Sequence, residues 1–142
     1  MKKLFLILVI IFTISNLFAQ SEKNLKSNHN PSDTLVVLWT SGDPEVAEKV
    51  CFMYTHNALK RGWFKTVILI VWGPSANLLA TNTRLESEVK SMISDGIQLQ
   101  ACKACSDSYG VSEKLQDIGV EVIYMGMPLT NYLKSGYSIL NF

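Results

Sequence analysis

Proline and glycine are scarce in this chain, four and eight among 142 residues. That scarcity excludes a collagen-like or low-complexity polymer. Three cysteines are too few for a disulfide-stapled mini-protein. An excess of one charge sign is also missing, because 13 basic residues face 12 acidic ones. Nucleic acid is therefore not an expected partner. The 48% hydrophobic content is too high for a disordered chain. The sequence holds no G-x-G-x-x-G, no G-x-x-x-x-G-K-[ST], no H-E-x-x-H and no G-x-S-x-G. Dinucleotide, P-loop nucleotide, zincin and serine-hydrolase chemistry thus have no support. The two histidines, His29 and His56, lie far apart. One C-x-x-C without a second pair does not close a four-ligand zinc site, so neither a metal nor a cofactor is expected.

What is present begins with an address. Lys2 and Lys3 precede nine unbroken apolar residues, 4–12, and Leu17-Phe18-Ala19-Gln20 follows a more polar step. A basic start, a short apolar run and a small residue at the cut are the parts of a secretory signal, with Ala19 before the cut. The stretch 4–19 contains Ser15 and Asn16 and is shorter than the ~20 residues of a bilayer span. The expectation is a removed signal peptide, 1–19, with no stable membrane insertion afterwards and a periplasmic or secreted destination. Removing it leaves a chain about 44% hydrophobic. The loss of Lys2 and Lys3 turns the net charge to −1. Residues 20–33 are polar and read as a flexible leader. Residues 34–142 are then one domain, long enough for one core.

Within that domain two apolar runs rich in β-formers stand out, 35–39 and 67–72. Strands buried on both faces of a parallel sheet have this composition. Residues 97–101 alternate, 120–124 form a fourth strand and 137–142 a short fifth. Helical segments lie between. Asp43-Pro44 supplies an N-cap and a first-turn proline, Gly62 a stop, and Ala47, Val50, Cys51, Tyr54 and Ala58 an apolar stripe. Thr83 and Glu86 have capping-box spacing before Leu85, Val89, Met92 and Ile93. Val111, Leu115 and Ile118 make a third stripe, and 128–134 a last short helix. Alternation of strand and helix predicts an α/β fold, a three-layer α/β/α sandwich with a mostly parallel sheet of about five strands. Ligands of such sheets bind beyond the carboxyl ends of the strands. The loops 40–43, 73–76, 102–108 and 125–128 are therefore the places to look.

The third of these carries chemistry. Cys102 directly follows the predicted strand 97–101, and Cys105 comes three residues later, before a helix. A helix N-terminus favours the thiolate, and Lys103 adds positive charge beside it. The spacing equally suits a structural disulfide, since one helical turn brings the two Cα atoms within bonding reach. A thioredoxin-like dithiol is a further reading, although here two strand–helix units precede the motif. Cys51 sits on an apolar stripe and reads as a core thiol. His56 falls on the polar side of the same helix. Trp39, Trp72 and Trp63 read as packing residues, with Trp39 and Trp72 also placed to wall a pocket.

The folded unit resembles the DsrE/DsrF-like (DsrEFH) family, which has the YchN-type α/β fold. The resemblance is carried by Gly96-Ile97-Gln98-Leu99-Gln100-Ala101-Cys102-Lys103-Ala104-Cys105 with Tyr109-Gly110-Val111. Gly119-Val120-Glu121-Val122 and the Trp72-Gly73-Pro74-Ser75 turn add to it. The resemblance implies a cysteine that carries sulfur as a persulfide, and assembly as homo- or hetero-oligomers, often trimers or hexamers. It maps the sulfur-bearing cysteine to Cys102 and leaves Cys105 as an auxiliary thiol. The relay members work in the cytoplasm, whereas this chain carries an export signal, so their donor and acceptor proteins do not transfer to it.

Three functions follow as expectations. In the first, Cys102 attacks a sulfane-sulfur donor and passes the persulfide to an acceptor, with Cys105 able to resolve it. In the second, a Cys102–Cys105 disulfide pins the loop of a non-catalytic oligomeric binding module. Its ligand then sits near Trp39, Trp72 and the loop that Met125 begins. The third is a thiol–disulfide oxidoreductase.

Overall fold

The structure is a computed structural model and describes residues 30–142. The signal segment 1–19, residues 20–29 of the leader and His29 lie outside the described residues. The end of the span read as leader is folded: Pro31–Asp33 is a 3-10 turn capped by the Asn30 side chain.

Five strands form one sheet in the order β4-β3-β2-β1-β5. They are β1 Thr34–Trp39, β2 Thr66–Val71, β3 Gln98–Cys102, β4 Glu121–Ile123 and β5 Ser138–Asn141. Every pairing is parallel. The α/β sandwich is thus present, and its sheet is parallel throughout. The helices are α1 (Pro44–Val46, Ala47–Phe52 and Met53–Lys60 in succession), α2 Pro74–Thr81, α3 Thr83–Ser94, α4 Lys103–Ser108, α5 Ser112–Asp117 and α6 Gly126–Lys134.

The layers are unequal for a topological reason. The connections β1 to β2 to β3 to β4 all step the same way along the sheet, and crossovers of one hand put their helices on one face. The step from β4 to β5 runs back, so α6 covers the other face. The side chains divide accordingly. Leu35, Val37, Trp39, Val67, Leu69, Val71, Leu99 and Ala101 enter the main core with α1, α2, α3 and α5. Val36, Ile68, Ile70 and Cys102 enter a small second cluster, with Met125 and the partly buried Leu129 and Tyr132.

Three sequence expectations are corrected. The middle of α1, Ala47–Phe52, is a π-helical turn. The extra residue per turn rotates the stripe, so Phe52 is buried and Val50 is 44% exposed. Residues 74–81, expected as loop at their start, form α2; Pro74 stands in its first turn just as Pro44 does in α1. Third, the cap of α3 is Asn82, not Thr83. Its side-chain oxygen accepts from the Arg84 and Leu85 N–H groups, at 3.1 Å each. Asn82→Ala is therefore expected to lower stability by about 1 kcal/mol, with Thr83→Ala far milder. Urea denaturation of the two variants checks this, and equal losses would return the cap to Thr83.

Candidate functional site

Cys102 is the last residue of β3, one position deeper than the sequence pattern suggested. Alternation decides its surroundings. Leu99 and Ala101 point to the main core, so Cys102 faces the second cluster, where it is 5% exposed. It is also the residue on which α4 begins, so Cys105 stands one helical turn further on. Cys105 is partly buried and packs against the same cluster, as does Trp72. Both cysteines, and Cys51, are free thiols.

Burial raises the Cys105 pKa, the neighbouring Cys102 thiol raises it further, and the nearby Gly73 backbone N–H offsets part of the rise. Gly73 lies in the turn into α2, so the site joins the carboxyl ends of β2 and β3. Cys51 differs in its surroundings. It is buried in the main core, and burial pushes its thiol up to about 12, against a smaller lowering by Thr55. That agrees with its reading as a core residue.

Lys103 does not reach the thiols as a free charge. Its ammonium group grips both Asp107 carboxylate oxygens, at 2.7 and 2.8 Å, and lies 5.9 Å from the Tyr124 ring centroid. Ser112 donates to the same carboxylate at 2.5 Å. The Lys103 ammonium, then Ser112, hold the Asp107 carboxyl below its usual range. The expected electrostatic help from Lys103 is thus consumed by an ion pair one turn along its own helix.

The other sequence candidates separate. Trp72 and Met125 join the thiols, Met125 fully buried and Trp72 partly. Trp39 does not. It lies in the main core, fully buried and edge-on to Phe52 with centroids 4.9 Å apart, so it walls no surface pocket at the thiols. His56 pairs with Asp95 at 2.5 Å, and Lys60 adds a 3.2 Å contact to the same carboxylate. That cluster borders a groove of about 280 Å³ floored by Phe52 and Met92. A second hollow of about 610 Å³ lies under Pro128, Tyr132 and Tyr137. Neither includes Cys102 or Cys105 among its lining residues. Among the described residues no three His, Cys, Asp or Glu side chains converge as a metal site. No described helix is long and apolar enough to cross a membrane.

Gly73 and Ser75 lie in the 73–76 loop that the sequence singled out, although it assigned neither residue a role. The Gly73-Pro74 step before an apolar run was a helix start in plain view.

A solved structure, that of a conserved protein of unknown function (BT1422) from Bacteroides thetaiotaomicron, is similar to this chain, with a TM-score of 0.76 and 38% sequence identity. The match covers 78% of this chain and 96% of that one. No family model matches the chain. No curated protein matches it either.

Native alkylation tests the division of the thiols. Iodoacetamide near pH 8 is expected to add two labels, at Cys102 and Cys105, and a third at Cys51 only after unfolding. Peptide mass mapping reads the positions. Labelling of Cys51 in the folded protein would overturn its placement in the core.

Proposed function

We propose, for a chain that belongs to the family of the conserved Bacteroides thetaiotaomicron protein BT1422, that it is an exported thiol protein carrying sulfane sulfur on Cys102. The observation that carries this reading is the pair itself. Two free thiols stand one helical turn apart at the carboxyl edge of a parallel sheet and pack in one small cluster. The strand–cysteine–helix resemblance to DsrE-like proteins points the same way.

The chemistry is a transfer of one sulfur atom without net oxidation. The Cys102 thiolate attacks the outer sulfur of a donor persulfide. The donor S–S bond breaks, the donor leaves as a thiolate, and a persulfide forms on Cys102. An acceptor thiolate then attacks the terminal sulfur, and Cys102 departs as a thiolate. Neither step needs a metal or an acid–base pair. Intact mass after incubation with polysulfide tests the reading. Wild type is expected to gain one sulfur mass, and Cys102→Ser none at residue 102 or 105. Equal gain in both proteins would remove Cys102 as the carrier.

Self-association belongs to the same proposal, as a homotrimer or homohexamer. It is supported by the second face of β3 and β4, where Gln98 and Glu121 are exposed. Gln100 between them donates to Glu121 at 2.9 Å and accepts from Tyr132 of α6 at 3.3 Å. Sedimentation velocity is expected to show an oligomer that Gln98→Arg dissociates with unchanged circular dichroism. A wild-type monomer at micromolar concentration would end this part of the proposal.

A further inference from the structure

The face of α1 that meets α3 carries a second constellation, apart from the thiols. After the π-helical turn, Met53–Lys60 is regular α-helix. Met53, His56 and Lys60 stand there at positions i, i+3 and i+7, so they share one face. The two helices are tied at both ends of the interval between them. Arg84 of α3 reaches Glu48 at 3.0 Å, and Asp95, the C-cap of α3, pairs with His56 at 2.5 Å. The groove of about 280 Å³ lies in this interval. Met53, His56 and Met92 all line it, with Met53 58% exposed at its rim and Met92 1% exposed at its floor.

These three side chains offer soft, uncharged donors. Thioether sulfur selects copper(I), and imidazole suits it as well. Zinc instead takes thiolate, imidazole or carboxylate. Among the described residues no trio of His, Cys, Asp or Glu converges, so the two methionines are what distinguish this groove.

His56 is prepared for the role. Its Nε2 is committed to the Asp95 carboxylate, so in the neutral ring the proton sits on Nε2 and the lone pair on Nδ1. Among the described residues Nδ1 has no hydrogen-bond partner. A carboxylate on the far nitrogen is the usual outer-shell partner of a metal-bound histidine, fixing the ring and raising its basicity. The neighbouring cations are already paired. Lys60 holds the same Asp95 oxygen at 3.2 Å, and Arg84 holds Glu88 at 3.5 Å as well as Glu48. With these charges paired and the Glu48 and Glu88 carboxylates in its wall, the groove tolerates a cation.

We propose that this groove is a copper(I) site, with Met53 Sδ, Met92 Sδ and His56 Nδ1 as ligands and Asp95 positioning the imidazole. Methionine is unbranched, so Met53 swings over the groove without a change in the backbone. The site is independent of the sulfur reading. Met92 belongs to the main core, whereas Cys102 faces the second cluster.

Silver(I), a soft monovalent ion that stays in one oxidation state here, is the probe. Thiols bind it too, so the full chain carrying Cys102→Ser and Cys105→Ser is used, with carbon-13 in the methionine methyls. One equivalent is expected to shift the Met53 and Met92 methyls together with the His56 Nδ1 nitrogen-15 signal. Met125 and the 69% exposed Met127 stay still and serve as controls. Met53 and Met92 methyls that do not move, or shifts at Met127 alone, overturn the proposal. Wild type covers the case in which the double variant does not fold. The same signals are expected to move there at higher silver, once the thiols have filled, and their failure to move overturns the proposal equally. Zinc at the same concentration is expected to move neither methyl, and shifts equal to those with silver overturn the assignment to a soft metal. Asp95→Ala is expected to weaken silver binding about 10–100-fold and to move the metal-free His56 ring toward its other tautomer. Unchanged affinity removes Asp95 from the site.

Discussion

The handedness of parallel crossovers fixes most of what matters in this molecule. Three connections that run one way along the sheet load one face with helices, and the single returning connection leaves the other face to α6. The main core is therefore large and closed, and the second cluster is small and open at its edge. Strand parity then sorts the cysteines. With Ala101 paired opposite Val71, residues 99 and 101 belong to the main core and Cys102 to the other side. A slip of one residue would send the Cys102 thiol into the main core. There burial would do to it what it does to Cys51, whose thiol is pushed up to about 12. The surroundings of residue 102 depend on sheet register before they depend on any neighbour.

Much of this was legible in the sequence because the signals were local. The apolar runs at 35–39 and 67–72 have the composition of strands sheltered on both faces, and both are strands of the parallel sheet. The aspartate–proline start of α1 is read directly from the chain, and Asp43 accepts from the Glu45 N–H at 2.7 Å. Gly96 stops α3 at φ 101°, where only glycine sits without strain. The failures came where local rules compete. A capping-box spacing at Thr83 and Glu86 lost to Asn82, a residue equally suited to capping and one position earlier. The periodic stripe of α1 assumed 3.6 residues per turn, and a π-helical turn broke that period at Val50. The segment 74–81 is short and uncharged, so it gave no amphipathic pattern to find.

The site shows the same limit more sharply. Cys102 and Cys105 were visible as a pair because they are neighbours in sequence. Trp72 and Met125 were placed near them by the rule for strand ends, and both are there. Trp39 obeys the same rule but points to the other face. Position along the strand was readable, and facing was not resolved for a run in which every residue is apolar. Gly73 and Cys105 are 32 residues apart, and the β2–β3 pairing brings the two strand ends together.

The means of tuning the thiols also differs from what the sequence suggests. A lysine beside a cysteine invites an argument from charge. Here the charge is spent on Asp107, and the Cys105 thiol answers instead chiefly to burial and then to its neighbour Cys102. The difference has a physical consequence. A half-exposed ammonium acts through a medium in which salt screens charges over about 8 Å at physiological ionic strength. Burial, the main cause of the raised Cys105 pKa, acts locally and is not screened by salt in this way.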